Sequence, residues 1–482
     1  MQTQSKSRTI VLLHALLIIG CGQQLDKTTQ QPNILLIMCD DLGWGDVGFN
    51  GNKVIQTPHL DGLAADGIVF SRFYAACPVC SPTRASCITG RSPYRMGIPT
   101  ANAGHLPEGE ITLPEILKDA GYATGHFGKW HLGTLTKDLR DSNRGGKPEA
   151  DSHYSTPASH GYDRYFCTEA KVPTYDPMLK PILFDTAQGE SLRYGWKAVT
   201  SGADSESYGT RYWSNESKPD TVNVFGGNAR IIMDRALPFI KDQHEQEKLF
   251  FATIWFHTPH LPLVASEADR QKYRGHSLEE QLHYGSITAM DAQIGRLIDA
   301  LKSTGQLANT LLFFCSDNGP EDRTPGSSGP YRERKRSLYE GGVRVPAFVY
   351  GAGITAQEQA EVFPIFTSDY LPTIVDLLDI QYPEKDRPLD GMSVAPLFTN
   401  GEIEARKPMG FQFHAEKRSW VTGQHKLIST DAGVTFELYD LLKDPAETND
   451  IISENVDIAS QMKADLRAWM DSCNQSEAGQ DY

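Results

Sequence analysis

The chain has 482 residues and a formal net charge of −15, from 46 basic and 61 acidic residues. This balance argues against a nucleic-acid-binding protein, which needs a strongly basic face. It leaves room for an anionic small substrate, because a local cationic cleft can form in an acidic protein. Charged residues make up 22% and hydrophobic residues 39% of the chain, so we expect a soluble, globular body.

The N-terminal segment has the features of an export signal. Lys6 and Arg8 precede an apolar run at 10–19, which is too short to cross a bilayer as a helix. A basic start followed by a short apolar run is typical of a secretory signal peptide. We therefore predict a signal peptide at 1–20 and an exported protein.

The end of that apolar run indicates how the protein is held at the cell envelope. Residues 18–21 read Ile-Ile-Gly-Cys, which resembles a bacterial lipobox. On this interpretation Cys21 is lipidated, residues 21–31 form a polar tether, and the lipid is the protein's contact with the membrane. Periplasm and cell surface both fit. Ordinary signal cleavage near Gly20 is the alternative, and it also exports the protein.

Periodicity predicts an α/β sheet covered by helices on both faces. Short apolar runs indicate buried parallel strands, and apolar residues at three- and four-residue steps indicate helices. In chain order the elements are a strand at 34–39, a helix at 113–120, a strand at 250–256, a helix at 287–301, and strands at 311–315 and 345–350. We assign them to one domain at 32–389. Cys39 and Cys315 lie in these runs and are expected to be buried.

Two stretches depart from this pattern. Residues 137–226 are rich in Gly, Ser, Asp, Tyr and Trp, with little periodicity, which is typical of an insertion that shapes a substrate site. Residues 390–482 predict a smaller C-terminal α+β domain. Its predicted elements are strands at 409–414, 419–422, 426–430 and 435–439, and a closing helix at 458–470.

Polar side chains follow the predicted strands, at the edge where open α/β sheets bind ligands. Asp40 and Asp41 come directly after the first strand, and Asp317 and Asn318 closely follow the strand at 311–315. These side chains offer oxygen ligands, which Ca²⁺ and, less favourably here, Mg²⁺ prefer. The alternative is that each Asp caps a helix or a turn.

Imidazole and ammonium groups follow further strands. His257 and His260 come after the strand at 250–256, while Lys129 and His131 follow the segment at 122–128. We expect all four at the same edge of the sheet as the carboxylates.

Cys80 precedes a short predicted helix. Ser81 is a good N-cap, Pro82 a good first helical residue, and Gly90 a good terminator. Cys80 would then lie at a helix N-terminus, where free N–H groups and the helix dipole favour an anion. Arg84, one turn further, can reach back to it. These features alone also fit a cysteine that merely caps the helix.

The segment at 80–91, Cys-Ser-Pro-Thr-Arg-Ala-Ser-Cys-Ile-Thr-Gly-Arg, resembles the signature of the formylglycine-dependent sulfatases, C-x-P-S/T-R followed by T-G-R. Further segments resemble other elements of that family, at 32–46, 121–133, 259–260, 316–319, 335–346 and 438–447. The resemblance implies an alkaline-phosphatase-like α/β fold. Cys39 and Cys87 stand where the family usually has small or apolar residues, and neither position is a functional one.

The same resemblance implies a cofactor and a metal. A formylglycine-generating maturation enzyme would convert Cys80 to an aldehyde, whose hydrate attacks sulfur. One Ca²⁺ would be held by Asp40, Asp41, Asp317, Asn318 and the modified Cys80.

Roles for the surrounding side chains follow from the resemblance as well. Asp317 would be the base for the attacking hydroxyl, and Arg84 would orient that group. Lys129, Lys335 and His260 would hold sulfate oxygens. His131 would take the proton in the step that releases sulfate, and either His260 or Lys335 would protonate the leaving alcohol. His257 has no role in the family.

A sulfated carbohydrate is the predicted substrate, because the protein is exported and the insertion is rich in rings that stack on sugars. These aromatic residues are Tyr154, Tyr165, Tyr175, Trp196, Tyr212 and Trp213. The segment at 169–178 resembles bacterial polysaccharide sulfatases, which makes Glu169, Tyr175 and Asp176 candidate substrate contacts. His414 and Arg418 are further candidates from the C-terminal domain. The alternative is that the aromatic residues pack the insertion onto the sheet.

Two other functions compete with sulfate-ester hydrolysis. A phosphoesterase or phosphonate hydrolase of the same fold typically keeps Thr or Ser as nucleophile and often gathers a second metal. A lipid-anchored glycan-binding protein with an inactive site would lack Cys80, Arg84 or a metal-binding Asp. The complete motif and ligand set favour the sulfatase.

Overall fold

The computed structural model describes residues 31–183, 196–197, 205–216, 218–322, 324–354, 362–399 and 401–481. The predicted signal peptide, Cys21 and the tether up to residue 30 lie outside these residues. Pro32–Tyr482 forms one compact unit. Within the described ranges, no helix has the length and apolar character needed to cross a membrane.

A nine-stranded mixed sheet forms the centre of this unit. Its strands are β1 Asn33–Cys39, β2 Ile68–Val69, β4 Ala123–Lys129, β5 Arg164–Thr168, β8 Tyr212–Ser214, β9 Pro219–Asp220, β10 Phe250–Trp255, β11 Thr310–Ser316 and β12 Ala347–Gly351. Across the sheet they run in the order β2-β12-β11-β1-β10-β4-β5-β8-β9. Two small sheets pair β3 Phe73–Tyr74 with β13 Ile365–Phe366, and β6 Ile182–Leu183 with β7 Trp196–Lys197.

The five central strands β11, β1, β10, β4 and β5 are parallel, and the apolar runs predicted three of them, β1, β10 and β11. The predicted parallel direction of the strand at 345–350 is wrong. β12 pairs antiparallel with β11, with Phe314 opposite Phe348. An apolar run records burial on both faces of a sheet, but it carries no information on strand direction, which depends on the path of the connection.

Helices cover both faces of the sheet, as predicted. They are α1 Pro58–Ala65, α2 Cys80–Thr89, α3 Leu113–Asp119, α4 Asn228–Glu245, α5 Glu267–Gln271, α6 Leu278–Ser303, α7 Glu340–Val343, α8 Tyr370–Leu377 and α9 Val456–Glu477. Side chains alternate along β1, so that Leu36 packs with the core under α2, α3 and α8, while Leu35 packs with the core under α1, α4 and α6. Cys39 and Cys315 are buried, as expected.

The stretch at 137–226 contributes strands to the main sheet, which its weak periodicity did not predict. β5 extends the parallel set beside β4, and β8 closes antiparallel on β5. Tyr165, Tyr212 and Trp213 are buried in the two cores. For these three rings the packing interpretation is correct, and the sugar-stacking interpretation is wrong.

A four-stranded antiparallel sheet follows near the C-terminus. It comprises β14 Met409–Phe413, β15 Lys417–Val421, β16 His425–Ser429 and β17 Glu437–Asp440, in sequential order. One face packs on α9 through Trp420 and Leu466, and the other packs on the region around Tyr74 and Leu338 through Phe411. The four strands match the predicted ones to within two residues, and the closing helix begins two residues before and ends seven residues after the predicted limits of 458 and 470.

Buried charges fasten this small sheet to the rest of the unit. Lys426 of β16 lies 3.0 Å from Glu340 of α7 and 2.9 Å from Glu447. Glu447 also accepts the backbone N–H of Glu340 at 2.6 Å, and Glu340 pairs with Arg344 at 3.2 Å. Burial raises the pKa of Glu447 to about 7 although Lys426 opposes this shift. The family-like segment at 438–447 thus ends in a residue of this junction.

We predict that Lys426→Met lowers the free energy of unfolding by about 3 kcal/mol, because it leaves two buried carboxylates without their shared cation. Urea denaturation followed by fluorescence measures the change. Lys443→Met is the matched control, since Lys443 is 81% exposed and its pair with Asp440 is a surface contact. Equal stability of the two variants would contradict the junction's role.

Candidate active site

The carboxyl ends of the parallel strands meet at one edge of the sheet, as predicted. Asp40 and Asp41 follow β1, and Asp317 and Asn318 follow β11, which is its neighbour. Lys129 is the last residue of β4. All five side chains are buried.

Helix α2 brings Cys80 to this edge. The helix begins at Cys80 itself, with Val79 as N-cap, so the predicted capping role of Ser81 is wrong. The Ser81 hydroxyl instead donates to the carbonyl of His131 at 2.6 Å and ties the helix to the segment after β4. Gly90 ends the helix in the left-handed conformation at φ 71°, as expected.

Three cations interlock with the three carboxylates. Each contact is short and buried: Lys129 Nζ to Asp40 Oδ2 at 2.8 Å, Lys335 Nζ to the two Asp41 oxygens at 2.6 and 2.7 Å, and Arg84 Nη2 and Nε to Asp317 Oδ2 at 2.6 and 3.0 Å. Arg84 also donates to the carbonyl of Lys129 at 3.1 Å. The three positive and three negative formal charges balance. The cations of the protein therefore offset the mutual repulsion of the carboxylates, as a bound metal ion would also do.

The pKa values of the two carboxyl groups nearest Arg84 shift in opposite directions. Burial opposes ionisation of Asp40, but Lys129, His260 and Arg84 hold its pKa well below the usual range. Burial, with the nearby charge of Asp40, raises the pKa of Asp317 to about 7. A divalent cation between them would favour ionisation of both.

Oxygen atoms without donors make this edge suitable for a hard cation. Asp40 Oδ1 and Asn318 Oδ1 are buried and accept no hydrogen bond in the described part of the chain. Ligand atoms of Asp40, Cys80 and Asp317 lie within 4.8 Å of one another, as do those of Asp40, Asp41 and His260. The Asn318 amide nitrogen donates to Asp41 at 2.7 Å, which leaves its oxygen to face a ligand. The donor set therefore fits Ca²⁺ or Mg²⁺.

The three histidines of this edge differ in their contacts. His131 Nε2 lies 3.3 Å from the Asn143 amide nitrogen, and its buried Nδ1 has no hydrogen-bond partner among the described residues. His260 Nε2 lies 3.6 Å from Asp41, and burial lowers the pKa of His260 to about 4. His257 contacts Thr168 at 2.7 Å through Nε2 and Asn228 at 3.0 Å through Nδ1, so both of its ring nitrogens contact uncharged side chains.

A cavity of about 410 Å³ opens over Cys80. The predicted site residues that line it are Cys80, Lys129, His131, His260, Lys335 and His414. Other lining residues were not singled out from the sequence, among them Thr100, Asn102, Asn143, Lys171, Glu321, Arg336 and Phe413.

The candidate substrate contacts fall in different places. His414 is exposed on the cavity wall, next to Phe413. Tyr175 lines a separate cavity of about 270 Å³, and Asp176 beside it accepts the N–H of Gly226 at 2.6 Å. Arg418 donates to the carbonyl of Ala415 at 2.7 Å.

Glu169 lies behind the cavity wall. Its buried carboxylate accepts the backbone N–H groups of Arg144 at 2.7 Å and of Gly145 at 3.2 Å. The residue between these contacts and the cavity is Asn143, which touches both His131 and Asn102. Glu169 thus fixes the loop that carries Asn143.

Lys171 lines the cavity but is not among the residues predicted from the sequence. It follows β5 by three positions, just as His131 follows β4 by two. The strand-end rule would have selected it if β5 had been recognised inside the stretch at 137–226. Asn102, Asn143 and Arg336 lie on loops and have no such local signal.

Comparisons with known proteins point to one family. The family model "Sulfatase" matches residues 32–380, and the model "N-sulphoglucosamine sulphohydrolase, C-terminal" matches 331–472. Human N-acetylgalactosamine-6-sulfatase is 32% identical over 84% of this chain and 73% of its own length. Mouse steryl-sulfatase is 33% identical over 80% of this chain and 67% of its own length.

Solved structures lead to the same family. The crystal structure of Ps i-CgsB in complex with k-i-k-neocarrahexaose has a TM-score of 0.74 at 26% identity, covering 93% of this chain and 94% of that one. A structure from work on the metabolism of multiple glycosaminoglycans by Bacteroides thetaiotaomicron has a TM-score of 0.69 at 25% identity, covering 92% and 100%. The alkaline-phosphatase-like fold and the family predicted from the sequence are confirmed, and the chain belongs to the sulfatases, the hydrolases of sulfuric esters.

Proposed function

We propose that this sulfatase hydrolyses sulfate esters on a sulfated carbohydrate, using a formylglycine made from Cys80 and one bound Ca²⁺. The observation that carries the proposal is the position of Cys80 at the buried start of α2, with its Sγ among the ligand atoms of Asp40 and Asp317. The sulfur stands where the oxygen of the modified residue would lie. Mg²⁺ is the alternative ion, and a maturation enzyme is the implied partner.

Two names among the similar proteins support a carbohydrate substrate. N-acetylgalactosamine-6-sulfatase is named for a sulfated sugar, and Ps i-CgsB was crystallised with a neocarrahexaose. The described cavity is rich in amide, imidazole and ammonium groups, which suit sugar hydroxyls and sulfates. Because steryl-sulfatase is similar to this chain at nearly the same identity, a steroid sulfate is the alternative substrate to test against sulfated sugars.

The proposed chemistry uses the modified residue 80, a bound cation and the side chains around them. When present, the hydrated aldehyde at position 80 supplies the nucleophile, and the cation acts as a Lewis acid. Asp40, Asp41, Asp317 and Asn318 would hold that cation. Lys129 and Lys335 would bind sulfate oxygens and offset the charge that develops on them, with His260 beside Lys335.

Proton transfer is assigned to groups around Cys80. Asp317 would accept the proton of the attacking hydroxyl, and the contact with Arg84 keeps its carboxylate oriented. His131 would accept a proton during release of sulfate, and Asn143 would fix its ring. His260 or Lys335 would protonate the leaving alcohol.

We also propose the domain limits 32–389 and 390–482 and export of the chain by residues 1–20. Trimming at residue 20 exposes Cys21, on which we propose a lipid anchor in the cell envelope, because Ile-Ile-Gly-Cys precedes a polar stretch.

We predict that Cys80 carries an aldehyde in protein from a host with the maturation enzyme. Peptide mass spectrometry identifies the aldehyde or its hydrate. Cys80→Ser should lower turnover of an aryl sulfate by about a thousandfold or more, since a serine cannot complete the release of sulfate. Cys473→Ser, at a buried position in α9, is the control. Normal turnover with a free thiol at position 80 would refute the proposal, and an aryl phosphate assayed in parallel tests for phosphoesterase activity.

We predict one Ca²⁺ per chain. Chelation should abolish turnover and lower the melting temperature, because an ion that binds only the native state stabilises it by mass action. Added Ca²⁺ should restore both. Asp317→Asn should weaken Ca²⁺ binding in calorimetry, whereas Asp457→Asn, at an exposed position in α9, should not. A stoichiometric transition metal in elemental analysis would contradict the assignment.

We predict that sulfated mono- and oligosaccharides are turned over in preference to aryl and steroid sulfates. Sulfate release from a panel of these compounds measures kcat/KM for each. Efficient cleavage of steroid sulfate, with every glycan left intact, would overturn the carbohydrate assignment and leave the sulfatase chemistry in place.

We predict that Cys21→Ala releases the protein from the membrane fraction of an expressing bacterium. Radiolabelled fatty acid should enter the unaltered protein and not the variant. If the unaltered protein takes up no label, signal cleavage near Gly20 replaces the anchor.

A further inference from the structure

The cavity over Cys80 contains a cation that the sulfatase site does not use. Lys129 pairs with Asp40, Lys335 with Asp41, and Arg336 with Glu321 at 2.8 Å. Lys171 lines the same cavity, and no described carboxylate lies within ion-pair distance of its ammonium group.

The position of Lys171 is set by the main sheet. β5 lies next to β4 and parallel to it, so the segment after Thr168 emerges beside Lys129. The residue as a whole is exposed, but its ammonium group is crowded enough that burial, ahead of the charges of Lys129 and Lys335, lowers its pKa. Lys171 therefore stands beside the lysines assigned to the ester sulfate, on the solvent side of the cavity.

A cation in this position is a poor fit to a singly charged substrate. The lining charges of the described cavity are Lys129, Lys171, Lys335, Arg336 and one acid, Glu321. Lys129 and Lys335 oppose a further positive charge here more strongly than Asp40 and Asp41 favour it, and an anion beside Lys171 would recover that electrostatic cost. The cavity of about 410 Å³ is also larger than one sulfate group needs, so the rest of the ligand must fill it.

We propose that Lys171 binds a second acidic group of the substrate, a sulfate or a carboxylate on the same sugar or its neighbour. This inference rests on the proposed carbohydrate function and names its substrate class as a glycan with more than one anionic group. Asn102, Asn143 and His414, which also line the cavity, offer hydrogen-bonding groups suited to the sugar hydroxyls between the two charges. An ordinary solvated lysine in this place would not distinguish between such substrates.

The test compares three substrates on one sugar backbone: one with a single sulfate, one with a second sulfate, and one with a sulfate and a carboxylate. The measured quantity is the ratio of kcat/KM for each doubly charged substrate to that for the singly charged one. We expect Lys171→Met to lower this ratio about fivefold to tenfold, mainly through KM. Lys171→Arg should retain it, and Lys171→Glu should lower it further. The substrate with the larger loss identifies the preferred acid.

Lys248→Met is the matched control, because Lys248 is exposed and precedes β10 at the opposite edge of the sheet. It removes the same charge and should leave the ratio unchanged. A ratio that is the same in Lys171→Met and in the unaltered enzyme overturns the role of Lys171. Even with that result, cleavage of the singly sulfated glycan by the unaltered enzyme would support the proposed function. If no glycan is cleaved, the proposed function and this inference fall together.

Discussion

The active site depends on a buried interlock of three carboxylates with three cations at the carboxyl ends of parallel strands. Burying Asp40, Asp41 and Asp317 is costly unless each is paired and hydrogen-bonded. Arg84, Lys129 and Lys335 provide those pairs, and each comes from a different part of the chain. The same contacts therefore fix the position of α2, the end of β4 and the loop before α7 around one point.

This interlock also explains how the edge can accept both a dication and an anion. The protein charges already balance one another, so the proposed Ca²⁺ ion would add a net positive charge that a sulfate could offset. Asp40 Oδ1 and Asn318 Oδ1 accept no hydrogen bond from the described residues. No protein donor among these residues would therefore compete with a cation for these two oxygen atoms. We therefore expect that binding of the metal increases the affinity for the sulfate ester, and the reverse. The lysines remain able to contact sulfate oxygens.

The small C-terminal sheet completes the cavity from the other side. Phe413 and His414, at the end of β14, form part of its wall. Their position depends on the junction of Glu340, Lys426 and Glu447, whose buried charges hold the sheet against the region before β12. The residues proposed for the chemistry thus lie at strand ends, on α2 and on the loop before α7, whereas those proposed to contact the rest of the substrate lie largely on loops.

The sequence by itself determined the family, through motifs that resemble those of the sulfatases. It also determined the α/β class, the strands β1, β10 and β11 and the strand-end residues that converge around Cys80, because burial, periodicity and strand-end polarity are local properties. It did not determine the direction of β12, the entry of β5 and β8 into the sheet, or the burial of Tyr165, Tyr212 and Trp213. Nor did it separate His414, on the cavity wall, from Tyr175, which lines another cavity. Those outcomes depend on which distant segments become neighbours. A strand's pairing and a side chain's partners are set by long-range contacts, and only the tertiary structure brings Lys171 beside Lys129 and Lys335.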